Sequence, residues 1–302
     1  IARLVSLTPS CSGNEWKLTM EFFAILIAWG AVQFWGSAEL FQRDSWVVQY
    51  RQLLKGFASP ALRLGLFVLV PVLLLALLLW LIAPLVFGLP LFLISVAVLL
   101  YSLGRGDFQI QLRLYLNSWQ RGDLEGAFLY GQHFSEELCD SGADNALQMH
   151  NAVRKAVFYQ GFERWFAVVF WFFALGPAAA LLYRLVFMTA QDALASQQER
   201  DLSKNILYYL AWLPARLLGF AFALIGDFEG CFGKWRAMVL GDLPSDAYLD
   251  ELGSCSMASA VNAELDGDQF VQQAAQELQK VQQLLSRSLL CWIAVMALMQ
   301  LF

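Results

Sequence analysis

The most restrictive feature of this sequence is a long stretch, from Leu64 to Leu103, that contains no charged side chain. Its length is about twice the roughly 20 apolar residues that one helix needs to cross a bilayer core of about 30 Å. Near its middle, the segment 83–90 (APLVFGLP) holds two prolines and a glycine, residues that interrupt helices. The stretch therefore predicts a helical hairpin that crosses a membrane twice, at about 64–83 and 87–103.

The composition fits a chain that is surrounded by lipid. Hydrophobic residues make up 59% of the 302 residues and charged residues only 15%, whereas about 25% are charged in an ordinary soluble domain. The sequence also lacks the alternation of apolar and polar residues that is typical of strands. We therefore predict an all-α, polytopic helical integral membrane protein whose partner is the lipid bilayer. The net charge of −5 argues against a nucleic-acid partner, because proteins bind its phosphates through basic patches.

Four further apolar segments are candidates for membrane helices. Together with the hairpin, the predicted membrane segments are about 20–36, 64–83, 87–103, 165–187, 206–225 and 288–302. Residues 1–19 are polar and aperiodic, and we expect them to be a non-native or upstream extension before a natural start at Met20. Residues 20–302 are predicted to form a single helical membrane domain.

Three residues are predicted to interrupt membrane helices. Gly176 and Pro177 lie at the centre of the fourth segment, and Pro214 lies inside the fifth. Because proline lacks an N–H and clashes with the preceding turn, Pro214 should free the backbone carbonyl of Leu210. The sequence leaves open whether 206–225 spans the membrane or is re-entrant.

The distribution of lysine and arginine predicts which side of the membrane each connection faces. The connection 37–63 carries four basic residues and is therefore predicted to be cytoplasmic. By alternation, the regions 104–164 and 226–287 are cytoplasmic too, and both are predicted to be helical. Residues 188–205 are predicted to face outward, although they contain an arginine and a lysine.

Several kinds of catalytic site are disfavoured. The sequence lacks a nucleophile motif of the G-x-S-x-G type, and His133 and His150 have no metal-ligand spacing to a cysteine or carboxylate. The five cysteines lie far apart and are expected to be reduced and structural. We therefore predict no catalytic residue, no metal site and no cofactor.

Arg216 is the charge that is hardest to place, because it lies in the apolar run 211–227 (AWLPARLLGFAFALIGD). If the helix begins at Ile206, Arg216 lies about 15 Å along its axis, near the bilayer midplane. A guanidinium that faces lipid at this depth is costly, so it must face protein, a cavity or water. The alternative is that the segment begins at Trp212 and lets Arg216 reach the headgroups.

The run WLPARLLGFAFALIGD, at 212–227, together with KWRAMVLGD, at 234–242, resembles the AmpE family. The resemblance extends from about Met20 to the C-terminus. AmpE proteins are multi-pass inner-membrane proteins of bacteria, described as signalling modulators in β-lactamase induction and so in antibiotic resistance. The resemblance therefore implies a regulatory protein that responds to cell-wall recycling, with the cytoplasmic anhydro-muramyl-peptide amidase of that pathway as partner.

The chain also resembles the wider CobD/CbiB group of membrane enzymes, which join an amino-propanol phosphate to adenosylcobyric acid. The similarity lies in GDLEGA at 122–127, ALGPAAALLYR at 174–184 and WLPAR at 212–216. However, QGFER at 160–164 stands where those enzymes carry an acidic E-N-x-x-D segment. Because the missing carboxylates could hold Mg²⁺ or stabilise a developing charge, this departure disfavours the cobalamin ligase reaction.

Two function classes follow from the resemblance. In a non-catalytic signalling modulator, a cavity would bind a small anionic ligand, because guanidinium groups suit phosphate and carboxylate. The residues predicted to line that cavity are Arg184, Arg216, Tyr183 and Trp212. In the alternative, an enzyme or transporter of the CobD/CbiB kind would act on a cobamide-like or nucleotide-bearing substrate, using the arginines with Asp123 and Glu125. A structural alternative for Arg184 is an ordinary anchor at the membrane interface.

Overall fold

The computed structural model describes most of the chain as helix. The described residues are 12–35, 42, 44–83, 88–104, 107–192, 194–258 and 267–300. The helices, in chain order, are α1 (Ser12–Trp35), α2 (Ser45–Leu54), α3 (Pro60–Ile82), α4 (Leu89–Ser102), α5 (Asp107–Gln120), α6 (Leu124–Gln132), α7 (Glu136–Asp140), α8 (Ala146–Gly161), α9 (Ala167–Leu175), α10 (Pro177–Gln191), α11 (Gln197–Ile225), α12 (Phe228–Met238), α13 (Ser245–Met257) and α14 (Asp268–Leu298). A π-helix, Phe162–Phe166, joins α8 to α9. Over these described ranges the regular structure is entirely helical, which confirms the predicted all-α fold class.

The predicted membrane hairpin consists of α3 and α4. α3 begins at Pro60, four residues before the predicted start, because proline suits the first turn of a helix, where its missing N–H has no intrahelical partner. α4 begins at Leu89, directly after Gly88, whose φ of 75° is a conformation that favours glycine. Only 22% of the apolar stretch of α3 is buried in the protein. So large an exposed apolar surface indicates a lipid environment.

Among the described residues, three helices, α3, α11 and α14, are long and apolar enough to cross a membrane. Shorter apolar helical stretches run over Thr19–Val32, within α1, and over α4. α1 begins at Ser12, so part of the predicted extension belongs to the first helix. The last predicted segment is the end of α14, whose first half is polar. The predictions for residues 1–11, 36–41, 43, 84–87, 105–106, 193, 259–266 and 301–302 lie outside the described residues.

The segment predicted at 165–187 is not one membrane-crossing helix. Gly176 separates α9 from α10 with a φ of 86°, and Pro177 is the first residue of α10. Beyond this break the chain turns back, because Arg184 of α10 lies 3.2 Å from Glu163 of the π-helix. On one straight helix, their separation of 21 residues would place them about 30 Å apart. We call α9 and α10 the re-entrant hairpin.

This turn corrects the predicted side of residues 188–205. They are predicted to face outward, yet Asp192 lies 2.9 Å from Arg51 and Glu199 lies 3.1 Å from Arg63. Both arginines belong to the connection that is predicted to be cytoplasmic. The outward prediction is wrong relative to that connection, because it counts the preceding segment as one crossing whereas the chain returns to the side that it left.

α11 continues without a break through Pro214. The carbonyl of Leu210, which the proline leaves without its usual helical donor, accepts a hydrogen bond from the indole Nε1 of Trp171 at 3.1 Å. A side chain of the re-entrant hairpin therefore replaces the missing backbone donor. Because the carbonyl of Leu210 keeps a hydrogen-bond donor, Pro214 leaves α11 intact.

Both ends of α11 contact regions that are predicted to lie on the cytoplasmic side. Near its start, Lys204 lies 3.7 Å from Glu136 of α7. Just after its end, the N–H of Asp227 donates to the carbonyl of Ser256 in α13. α11 is nevertheless one unbroken helix of 29 residues, about 44 Å long, so it does not double back as a re-entrant segment would. Whether 206–225 spans the membrane stays a prediction.

The helices α8, α13 and α14 pack together through a largely buried polar network. His150 of α8 lies 2.6 Å from Glu277 of α14, and both side chains are almost completely buried. Arg154, one turn further along α8, lies 2.8 Å from Asp250 of α13 and 3.4 Å from Glu277. Three helices that are distant in sequence are therefore joined by paired charges, which a buried charge requires.

Cys231 of α12 and Cys255 of α13 form a disulfide, with Cα atoms 5.8 Å apart. The expectation that all cysteines are reduced is therefore wrong for this pair. The pairing depends on the packing of α12 against α13, which a separation of 24 residues does not reveal in the sequence. Cys139 and Cys291 are free thiols, and Cys11 lies outside the described residues.

Candidate functional site

A cavity of about 340 Å³ opens where α7, α8, α11 and the start of α13 meet the end of α10. The volume lies within the roughly 300–1,000 Å³ that is common for small-molecule sites. The polar side chains that line it are Ser135, Glu136, Glu137, Lys155, Tyr159, Gln160, Gln191, Lys204, Tyr208, Ser245 and Asp246. We call it the hairpin cavity, because the re-entrant hairpin supplies one of its walls.

Helix starts place the acidic side chains at this cavity. Ser135 caps α7 through its hydroxyl, so Glu136 and Glu137 fall in the first turn. Pro244 precedes α13 in an extended conformation, so Asp246 falls in the first turn of that helix. Carboxylates are favoured at these positions because the N-terminal end of a helix carries a partial positive charge.

Two lysines meet these carboxylates. The Nζ of Lys155 lies 2.9 Å from Asp246 and 3.6 Å from Glu137, and the Nζ of Lys204 lies 3.7 Å from Glu136. Burial lowers the pKa of Lys155, but its hydrogen bond to Asp246 and the charges of Asp246 and Glu137 outweigh this and hold the pKa above its ordinary value. The cavity therefore presents both signs of charge side by side.

A buried ion pair lies directly behind the cavity wall. Tyr159 lines the cavity, and burial followed by the charge of Glu163 raises the pKa of its phenol above the ordinary value. Phe187 also lines it, and the guanidinium of Arg184 lies 5.3 Å from the centre of that ring. Arg184 is 4% exposed and Glu163 2% exposed. Glu163 belongs to the π-helix, a distortion that is frequent at functional sites.

Arg184 and Tyr183, two of the predicted ligand-binding residues, lie behind the cavity and do not line it. Tyr183 is fully buried, and Arg184 is engaged by Glu163 at 3.2 Å. An anchor at the membrane interface would be solvated, so that alternative does not fit the burial of Arg184.

Arg216 and Trp212, the other two predicted residues, lie beside the connection from α12 to α13. Arg216 is 3% exposed, and its Nη2 donates to the carbonyls of Gly241 and Leu243 at 2.8 and 2.9 Å. Its guanidinium also lies 5.0 Å from the ring of Trp212 and 4.4 Å from the ring of Tyr248. Arg216 therefore faces protein and fixes the connection that leads into the cavity-lining start of α13.

The structure thus separates the four predicted residues into two pairs that both support the hairpin cavity from outside. Direct contact of these residues with a ligand stays a prediction. Sequence reasoning missed Lys155, Tyr159 and Glu163 as site residues. Their spacing of four residues places them on one face of a helix, which is the signal that could have found them.

The carboxylates of the enzyme alternative lie elsewhere. Asp123 caps α6, where its Oδ1 accepts a hydrogen bond from the N–H of Gly126 at 2.9 Å, and Glu125 is exposed in the first turn. Neither residue lines the hairpin cavity. In the part of the chain that the structure describes, no group of three or more His, Cys, Asp and Glu side chains is arranged to hold a metal ion.

Comparison with known proteins gives two consistent matches. A family model described as "Regulatory signalling modulator protein AmpE" matches residues 20–300. Protein AmpE of Shigella flexneri is similar at 25% identity over 182 residues, which cover 57% of this chain. The matched region spans 63% of the length of that relative, somewhat less than two thirds. No solved structure matches the chain.

Proposed function

The chain belongs to the AmpE family of regulatory signalling modulator proteins, and from this premise we propose that it is a receptor that regulates β-lactamase induction. Its proposed place is the bacterial inner membrane, as a multi-pass protein. Its proposed input is a small molecule of cell-wall recycling, bound from the cytoplasmic side in the hairpin cavity.

The observation that carries this proposal is the paired charge at the hairpin cavity. Lys155 and Lys204 are already held by carboxylates of the protein at 2.9–3.7 Å. The lining carries three carboxylates and two lysines, so its net charge of −1 disfavours a purely anionic ligand. A zwitterionic ligand instead gives a carboxylate to a lysine and an ammonium group to an acid, so every charge stays paired. We therefore assign a peptide-like zwitterion as the ligand class.

The size of the cavity narrows the ligand further. About 340 Å³ suits a ligand of the size of a short peptide. The peptide part of an anhydro-muramyl peptide has this chemistry, and its sugar part would remain outside the cavity. The cytoplasmic amidase that cleaves these peptides acts on the same molecules, so it is the proposed functional partner.

Ligand binding exchanges weak ion pairs and so can alter the contact between α8 and α13. Lys155 joins the two helices through Asp246, with side chains that are 32% and 36% exposed. Ion pairs with this much solvent contact contribute about 0–1 kcal/mol, so a ligand carboxylate can replace Asp246 without a large penalty. The start of α13 is then released, while Tyr159 and Phe187 keep the ligand against the re-entrant hairpin.

Calorimetric titration of the purified full-length protein with an anhydro-muramyl tripeptide tests the ligand class. We expect Lys155→Met and Lys204→Met each to weaken binding by about tenfold, the value of one lost charge-assisted hydrogen bond. Lys280→Met is the matched control, because this exposed lysine of α14 does not line the cavity. Equal binding by all three variants would show that the ligand does not occupy the hairpin cavity.

Induction of β-lactamase by a cell-wall drug tests the regulatory role in cells. A deletion strain is complemented with the original gene, Lys155→Met or Lys280→Met, at matched protein levels. We expect the deletion and Lys155→Met to change the induction curve and Lys280→Met to restore it. Unchanged induction after deletion contradicts the regulatory role, whatever the calorimetry shows.

A further inference from the structure

A second cavity, of about 380 Å³, lies between α2, α3 and the start of α11. Its charged lining consists of three cations and one anion, which are Arg51, Lys55, Arg63 and Glu199. The three positive charges and one negative charge leave a net charge of +2 on the lining. We call it the basic cavity. It shares no lining residue with the hairpin cavity.

The basic cavity lies at the depth where a membrane changes from headgroups to acyl chains. Arg63 is the last charged residue before the uncharged stretch that begins at Leu64, and both line the cavity. Phe67, one helical turn further into that stretch, lines it as well. The cavity is therefore basic at its cytoplasmic end and apolar toward the bilayer.

The helix beside the cavity has the character of an interfacial helix. α2 exposes Trp46, Val48 and Leu53, and Leu53 is 77% exposed. Large apolar side chains exposed on a short helix next to a membrane span fit burial at the boundary of headgroups and acyl chains. The exposed apolar side chains of α2 therefore place lipid beside the basic cavity.

The two arginines are held in place before any ligand binds. The Nε of Arg51 lies 2.9 Å from Asp192, its Nη2 donates to Thr189 at 3.2 Å, and its guanidinium lies 4.4 Å from the ring of Phe67. The Nε of Arg63 lies 3.1 Å from Glu199. These contacts use only part of the five N–H donors of each guanidinium, so donors remain for an anionic oxygen.

We propose that the basic cavity binds the phosphate of an anionic phospholipid, with Arg51, Lys55 and Arg63 around the headgroup and Phe67 beside an acyl chain. Basic pockets between membrane helices on the cytoplasmic side are suited to such headgroups. With Asp192 counted behind Arg51, the local net charge is +1, which one phosphodiester neutralises. The bound lipid then joins the connection before α3 to the chain that returns from the re-entrant hairpin.

Native mass spectrometry of the full-length protein in detergent tests the proposal, with phosphatidylglycerol as probe and phosphatidylcholine as the neutral comparison. We expect phosphatidylglycerol to bind at least about tenfold more tightly. Lys55→Gln and Arg63→Gln should each weaken it by about fivefold, the effect expected for one basic residue near an anionic lipid. Lys55 is exposed, so its replacement leaves the packing intact.

Arg113→Gln is the matched control, because this exposed arginine of α5 lies away from the basic cavity and bonds to its own helix at the carbonyl of Gln109. It should leave phosphatidylglycerol binding within about twofold of the original. Equal binding of the two lipids, or an equal loss in Arg113→Gln, overturns the proposal. Complete displacement of the lipid by millimolar inorganic phosphate also overturns it, because the site then recognises a free anion.

Discussion

Replacing Arg184 by methionine tests the geometry on which the re-entrant hairpin depends. Methionine keeps most of the length of the side chain and its contact with Phe187 but removes the charge, so Glu163 is left without its cation. Glu163 is 2% exposed. Breaking a buried ion pair by removing one partner costs about 3–5 kcal/mol, because the remaining charge has no water to solvate it. We expect Arg184→Met to lower the free energy of unfolding by that amount.

The double replacement separates the ion pair from other effects of the substitution. When Glu163→Leu is combined with Arg184→Met, both charges are gone and the loss should be about 1 kcal/mol or less, since an apolar pair of similar volume is often as stable as a buried ion pair. The coupling energy between the two sites should therefore be about 3 kcal/mol. Lys204 and Glu136 give a matched surface cycle, because their side chains are 57% and 71% exposed. That cycle should yield at most about 1 kcal/mol.

Reversible unfolding in mixed micelles, followed by tryptophan fluorescence, provides the measurement. The eleven tryptophans of the chain give a strong signal. A coupling energy at the Arg184 and Glu163 sites no larger than that of the surface cycle would refute the close approach of α10 to the π-helix. The chain between the two residues would then not fold back at Gly176.

Three further outcomes can be measured by the same unfolding assay. Trp171→Phe should lower the free energy of unfolding by about 1–3 kcal/mol, because it leaves the partly buried carbonyl of Leu210 without a donor. Pro214→Ala should reduce that loss, because it restores the backbone donor. An equal loss with Pro214 and with Ala at position 214 would contradict this. Gly253→Ala should lower the free energy of unfolding by about 1–3 kcal/mol, because the added β-carbon collides with the buried ring of Phe158. Gly233→Ala is the control, because its β-carbon meets open space, and it should be neutral or stabilising. A neutral Gly253→Ala would show that α8 and α13 are not in close contact. The folded-state pKa of Lys155 lies above the ordinary 10.5, so the stabilising effect of its charge is complete below pH 10.5 and is lost above it. Lys155→Met lacks this charge, so its free energy of unfolding should fall less than that of the original protein as the pH rises above 10.5. An identical fall in the two proteins would contradict the ion pair of Lys155.

The helices α3 and α4 could be predicted because their signal is local. A helix crossing needs about 20 apolar residues, and the stretch from Leu64 to Leu103 has twice that length with helix breakers in its middle. The direction of the chain after the segment 165–187 could not be predicted in the same way. Its 23 residues have the length of one crossing, and the positive φ of Gly176, where the chain reverses, leaves that length unchanged.

The supporting arginines of the site could be predicted, whereas the cavity-lining charges could not. Arg184 and Arg216 interrupt apolar runs, where an unpaired charge is costly, so each must have a polar partner. Lys155 and Lys204 lie in polar segments, where a lysine is usually solvated and carries no signal by itself. The cavity arises from the packing of α8 against α11 and α13, which is a property of tertiary structure.

The re-entrant hairpin connects the hairpin cavity to α1. Its tip, Gly176, lies against α1, because a β-carbon added to Gly176 would stand 3.4 Å from the carboxylate of Glu21. The π-helix and α9 together form the segment that leads to this tip. They have five and nine residues, so the segment extends about 21 Å, which is less than the bilayer core of about 30 Å. The π-helix and the turn at Gly176 interrupt the regular helical hydrogen bonds at the two ends of α9. The ion pair between Arg184 and Glu163 holds the end that lies near the hairpin cavity. Tyr159 and Phe187 form the cavity wall that is joined to this unit. A ligand in the hairpin cavity can therefore move the unit only if it binds more tightly to one position of that wall than to another. The proposed regulatory signal would therefore act on a unit that the ion pair of Arg184 and Glu163 fixes at one end.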